Sequence, residues 1–134
     1  MRRIGAATVT ALLTADALDV NGAAPANGTA VQLRGCTAGD AQWWTLRADG
    51  TLRALGKCLD VTGFGTADGT EAELWDYTGG ANQRWQPYNG GYRNPLSGRC
   101  PDDPGFATAD GTRLDVRTCD GGADQRWTTL PAVP

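Results

Sequence analysis

The chain has 134 residues, 12 basic and 15 acidic side chains, a formal charge of −3, 19 glycines and no histidine. That length suits one domain with its own core, and the acidic balance with scattered arginines excludes the basic footprint that nucleic acid requires. Without histidine, and with Cys36, Cys58, Cys100 and Cys119 far apart in the chain, neither a zinc site nor a histidine-based triad can be assembled.

The sequence brings no pair of acids to the separation glycoside hydrolysis needs, so neither an enzyme nor a cofactor is expected. No apolar run approaches the roughly 20 residues of a membrane-spanning helix, so membrane insertion is not expected either. At the N-terminus, Met1-Arg2-Arg3, the apolar residues 4–13 and Ala15-Asp16-Ala17 have the outline of a short secretory leader. The repeat spacing instead gives residues 8–17 to a first strand, so a signal peptide is not clearly marked.

Three motifs recur in register. Leu18-Asp19-Val20 returns as Leu59-Asp60-Val61 and, degraded, as Pro101-Asp102-Asp103. Asn27-Gly28-Thr29 returns as Asp68-Gly69-Thr70 and Asp110-Gly111-Thr112, and Gln42-Trp43-Trp44 as Gln83-Arg84-Trp85 and Gln125-Arg126-Trp127. Each series steps by 41 and then 42 residues, which defines repeats of approximately 8–48, 49–90 and 91–130 in a single domain spanning 1–134.

Each Asx-Gly pair predicts a hairpin, because glycine supplies the positive φ that such turns need. Alternations such as Ala30-Val31-Gln32-Leu33 and Ala72-Glu73-Leu74-Trp75 predict half-buried strands. A repeat of about 41 residues then holds about four strands. Three such units are too few for a propeller but close as a barrel capped by hairpins. The fold class is all-β, a β-trefoil with pseudo-threefold symmetry. Trp44, Trp85 and Trp127 are its expected core, each indole needing an acceptor for its N–H.

The threefold Gln-x-Trp, the Leu-Asp-Val after a cysteine and the hairpin Gly-Thr together resemble the ricin B-type lectin family over nearly the whole chain. The resemblance implies a non-catalytic sugar-binding module. In its pattern an aspartate accepts from neighbouring hydroxyls, an aromatic stacks on the sugar face, and an Asn-Gln pair completes the site. These map to Asp60, Trp75, Asn82 and Gln83, with Gln83 orienting Asp60. Glu73, two residues before Trp75 on a strand, shares its face. In the first repeat Asp19 and Gln42 survive, but Arg34 and Ala41 replace the aromatic and the amide, which predicts an inactive site. The third repeat offers Asp102, Arg117, Asp124 and Gln125, a set suited at most to a weaker site in which the guanidinium lies against the ring.

The family also bridges the cysteine before Leu-Asp-Val to one 19 residues on, a spacing that only Cys100 and Cys119 keep. Ala17 stands opposite Cys36 and Tyr77 opposite Cys58, so both thiols are expected outside a disulfide. The implied partners are galactose, lactose or xylan-type carbohydrates. The implied setting is extracellular, with the module standing alone or attached to a larger secreted glycoside hydrolase. The competing reading is a trefoil scaffold for protein interaction or protease inhibition, which would have no reason to assemble the middle-repeat set.

Overall fold

The strands are short because apolar and polar residues alternate for only four to six positions before a glycine, a proline or a turn intervenes. The computed structural model describes residues 6–10, 16–37, 39–107 and 109–134. Of the leader-like start, residues 1–5 and 11–15 lie outside the described residues. The first repeat contributes β1 (Ala6–Ala7), β2 (Ala17–Val20), β3 (Val31–Arg34) and β4 (Trp44–Leu46). The second contributes β5 (Leu52–Ala54), β6 (Lys57–Val61), β7 (Thr70–Trp75) and β8 (Gln86–Tyr88). The third contributes β9 (Gly91–Arg93), β10 (Arg99–Asp102), β11 (Thr112–Arg113) and β12 (Asp115–Thr118).

These strands form sheets in the orders β1-β4-β5-β6-β7-β12-β10, β11-β3-β2 and β8-β9. All the strand pairs are antiparallel, and the same register recurs in each repeat. Leu18 faces Leu33, Leu59 faces Leu74 and Pro101 faces Val116, and these pairs point inward. One residue along, Asp19 faces Gln32, Asp60 faces Glu73 and Asp102 faces Asp115 on the outer side. The period of two along a strand fixes this division. Leu18, Leu33, Leu59, Leu74 and Val116 join Trp44, Trp85, Trp127 and Tyr92 in one buried cluster.

The three tryptophans are core residues, and each indole N–H donates over 3.0 Å to a carbonyl at the same point of its own repeat: Leu18, Leu59 or Pro101. Cys100 and Cys119 are bonded, with 5.1 Å between their Cα atoms. Neither Cys36 nor Cys58 is in a disulfide, and burial pushes the Cys58 thiol up to about 11. Tyr77, where a partner for Cys58 would stand, stacks against the Arg53 guanidinium, 4.7 Å from ring centroid to carbon.

The hairpin expectation needs one correction. The tight two-residue turns are Leu55-Gly56 and Asn89-Gly90, in which both residues have positive φ. In the three Asx-Gly-Thr turns only the glycine does, at +88° for Gly28 and Gly69 and +91° for Gly111, and the turns sit within longer connections. The reason is that the Asx side chain is used elsewhere. Asn27 Oδ1 accepts from the Asp76 amide (2.9 Å), Asp68 from the Thr118 amide (2.6 Å) and Asp110 from the Gly35 amide (2.9 Å). Each repeat's turn thus holds the following repeat at or just beyond the end of its outer-row strand, and the third closes back on the first.

Where the first two repeats place Val20 and Val61, the third buries Asp103, 1 % exposed. Burial, then the charges of Asp16 and Asp124, push its carboxyl up to about 6, and among the described residues its Oδ1 has no hydrogen-bond partner. Folding keeps that proton while the unfolded chain releases it near 3.8, so stability falls as pH rises from about 4 to 6. Asp103→Val should therefore stabilise the fold at neutral pH by about 1–3 kcal/mol, the usual penalty for an unsatisfied buried polar group. Thermal melts should show that advantage growing between pH 4 and 6 and level above it. A lower melting temperature at pH 7 would contradict this.

Candidate functional site

The middle repeat brings its predicted residues together in one cleft of about 400 Å³, lined by Asp60, Glu73, Trp75 and Asn82 with Thr62, Phe64 and Thr78. Register explains the grouping. Cys58 faces Trp75 and Asp60 faces Glu73 across β6 and β7, so all four share the outer face. The 3-10 turn Ala81–Gln83 then delivers Asn82 and Gln83 beneath it.

Gln83 lies under the cleft rather than in its wall. Its Nε2 donates to Asp60 Oδ2 (2.9 Å) and to the Asp76 carbonyl (2.8 Å), and its Oε1 accepts from the Thr78 amide (2.9 Å). These bonds tie Gln83 to Asp60 and to the loop after β7. Asn82 Nδ2 also donates to Asp60 Oδ2 and to the Val61 carbonyl, both at 3.1 Å. Two amides converge on one carboxylate oxygen and fix the plane of Asp60. Asn82 is thus a support for Asp60 as well as a lining residue.

Glu73 completes the polar row. Burial, a side-chain hydrogen bond to Asp60 and the charge on Asp60 push its carboxyl up to about 7. The first repeat shows why. There Gln32 Nε2 donates to Asp19 Oδ2 at 2.9 Å, and a glutamate can copy that donor only while it holds a proton.

Trp75 stands at the cleft edge, 38 % exposed, unlike the three buried tryptophans. Its ring edge lies 3.8 Å from where a side chain on Gly28 would begin, so the first repeat's turn supports the indole. Asn27 and Lys57 both reach Asp76, the residue after Trp75. Sequence reasoning missed Phe64. Its φ of +58° is rare for a bulky side chain, its ring rests against Gly80, and it is 53 % exposed. The equivalent places in the other repeats hold Ala23 and Phe106, so the repeat comparison did not single it out.

The outer repeats keep the frame and lose the cleft chemistry. In the first, Gln42 holds Asp19 (3.2 Å) and the Gly35 carbonyl (3.0 Å), but Arg34 is exposed and Ala41 offers no amide. In the third, Gln125 holds Asp102 (2.9 Å) and the Thr118 carbonyl (2.9 Å). There Arg117 turns onto its own repeat, donating to Asp115 at 2.9 Å and standing 4.0 Å from Asp102. Burial, then the charges of Asp124 and Asp115, push Asp102 up to about 6. Of the groups expected to form a weaker third site, Gln125 bonds Asp102, while Arg117 is held chiefly by Asp115, which lies outside that set.

A threefold barrel with hairpin caps and one outward cleft of carboxylates, amide and indole defines a trefoil of the lectin type. The chain belongs to the ricin-type β-trefoil lectin domain family, which matches residues 6–127. No curated protein matches the sequence closely enough to count as a relative. Among solved structures it is similar to the designed threefold-symmetric protein ThreeFoil, at 30 % identity over 95 % of this chain and 99 % of that one (TM-score 0.84). It is also similar to the agglutinin of Abrus precatorius, at 27 % identity over 92 % of this chain and 47 % of that one (TM-score 0.82). A third is a non-toxic homologue of type II RIPs from Momordica charantia, solved in complex with α-methyl-D-galactoside, at 25 % identity over 93 % and 46 % (TM-score 0.78). The chain spans about half the length of these two plant proteins.

Glu73 gives a pH test. The folded chain holds its proton to about 7 and the unfolded chain loses it near 4.5, so its contribution to stability falls as pH rises between those values. Glu73→Gln keeps the donor and removes the titration. Melting temperatures from pH 4 to 8 should decline less steeply for the variant than for the unaltered chain, and equal slopes would contradict the shared proton.

Proposed function

We propose that the chain is a carbohydrate-binding module that holds one galactose-type sugar in the middle repeat. The observation that carries this reading is the juxtaposition of a carboxylate held in plane by two amides with an exposed indole on one sheet face. Asp60 accepts from adjacent sugar hydroxyls, Trp75 stacks on the apolar C–H face, and Glu73 and Asn82 add polar contacts at the rim. The galactoside bound by the Momordica protein supports a sugar of this class.

The disulfide supports an extracellular setting.

Calorimetry with galactose and lactose tests the reading. The unaltered chain should bind one sugar per chain, and Trp75→Ala should remove binding while shifting the melting temperature little. Trp85→Ala, by contrast, should destabilise the fold by about 3–5 kcal/mol, the usual cost of removing a core aromatic. Three sugars per chain, or full binding by Trp75→Ala, would overturn the assignment.

A further inference from the structure

The seven-stranded sheet does not end at the sugar cleft. Across β7, β6, β5 and β4, the register aligns Trp75, Cys58, Arg53 and Thr45 in one row, all on the outer face. Tyr77 covers the middle of that row, 52 % exposed, with its ring against the Arg53 guanidinium. Beyond Arg53 the surface drops into a recess of about 350 Å³, walled by Asp40, Trp43, Arg47 and Arg53. Trp43 precedes the core residue Trp44 and lies on its opposite, outer side. The other two repeats place Arg84 and Arg126 at this position, so a ring here belongs to the first repeat alone. With strands about 4.8 Å apart, the three steps from Trp75 to Thr45 cover about 14 Å, room for several linked sugar rings rather than one.

We propose that the middle-repeat cleft is the first subsite of a longer groove. A neutral oligosaccharide chain would run from Trp75 over Tyr77 and Arg53 to a second subsite at Trp43. This rests on the reading of the middle repeat as a sugar site. The chemistry fits a chain of hydroxylated rings. Aromatic faces at Trp75, Tyr77 and Trp43 meet successive C–H faces, while Asp40 accepts from hydroxyls and Arg47 donates to them. Asp49 holds Arg53 at 3.0 Å and Asp40 offsets Arg47, which favours a neutral chain over a uronic or sulfated one.

The test is calorimetry on the full chain with galactose and with β-1,3- and β-1,4-linked galactooligosaccharides of two to four units. In one of the two series the longest oligomer should bind at least about tenfold more tightly than galactose, as one additional stacked ring would give. Trp43→Arg, which installs the residue the other repeats carry and so respects the fold, should bring that ratio close to one. Trp43→Phe should keep most of it, and Trp75→Ala should lose all binding. Equal affinity for galactose and every oligomer, or a ratio untouched by Trp43→Arg, would overturn the groove while leaving the galactose site standing. Absence of binding by any sugar would overturn both.

Discussion

The glutamine of each Gln-x-Trp motif is the point on which the rest depends. Its amide nitrogen bridges the outer aspartate to a carbonyl of the loop that follows the outer-row strand, and its oxygen accepts from an amide two residues further on. The tryptophan two residues later anchors its indole to the carbonyl just before that same aspartate. One short segment thus fastens hairpin, loop and core together. Gln42 and Gln125 repeat the pattern within a few tenths of an ångström. Because the glutamines are buried, leaving any of these bonds unmade would carry the full desolvation penalty, and the frame is held accordingly.

The second constraint runs between repeats. The Asx-Gly-Thr turns combine a glycine at positive φ, whose amide bonds the neighbouring strand, with a side chain that caps the next repeat. The ring closes on itself, so each outer row is shaped partly by the preceding repeat. On this shared frame the chain varies the outer row: Gln32, Glu73 or Asp115 opposite the aspartate, and Arg34, Trp75 or Arg117 beside it. Electrostatics then separates the repeats. In the third, Arg117 and Asp115 satisfy each other where the middle repeat presents an indole to solvent. The burial of Asp102, Asp103 and Glu73, all shifted upward, favours a fold most stable in mild acid.

Much of this was legible in the sequence because a repeat converts three weak signals into one strong one. Spacing alone aligned Asp19, Asp60 and Asp102 and assigned the three core tryptophans; the family resemblance picked out Asp60, Trp75, Asn82 and Gln83, and the period of two along a strand added Glu73. What escaped was whatever depends on a neighbouring repeat or on unusual backbone. The clamps from Asn27, Asp68 and Asp110 join residues far apart in sequence, so turn chemistry alone could not reveal them. Phe64 reaches the cleft only through a positive φ that is uncommon for an aromatic. Asp103 reads as a decayed motif, yet its carboxyl is buried where the other repeats have valine.

The central claim is that three repeats share one frame while the middle repeat alone presents a sugar site. The most direct measurement is a nuclear magnetic resonance titration of the isotope-labelled chain with galactose, following the indole N–H signals and the backbone amides around each outer aspartate. The account predicts saturable shifts at the Trp75 indole and at the amides of Asp60 and Asn82, with the Trp44, Trp85 and Trp127 indoles and the surroundings of Asp19 and Asp102 unmoved. Comparable shifts around Asp19 or Asp102, or a titration that leaves Trp75 unmoved, would contradict it.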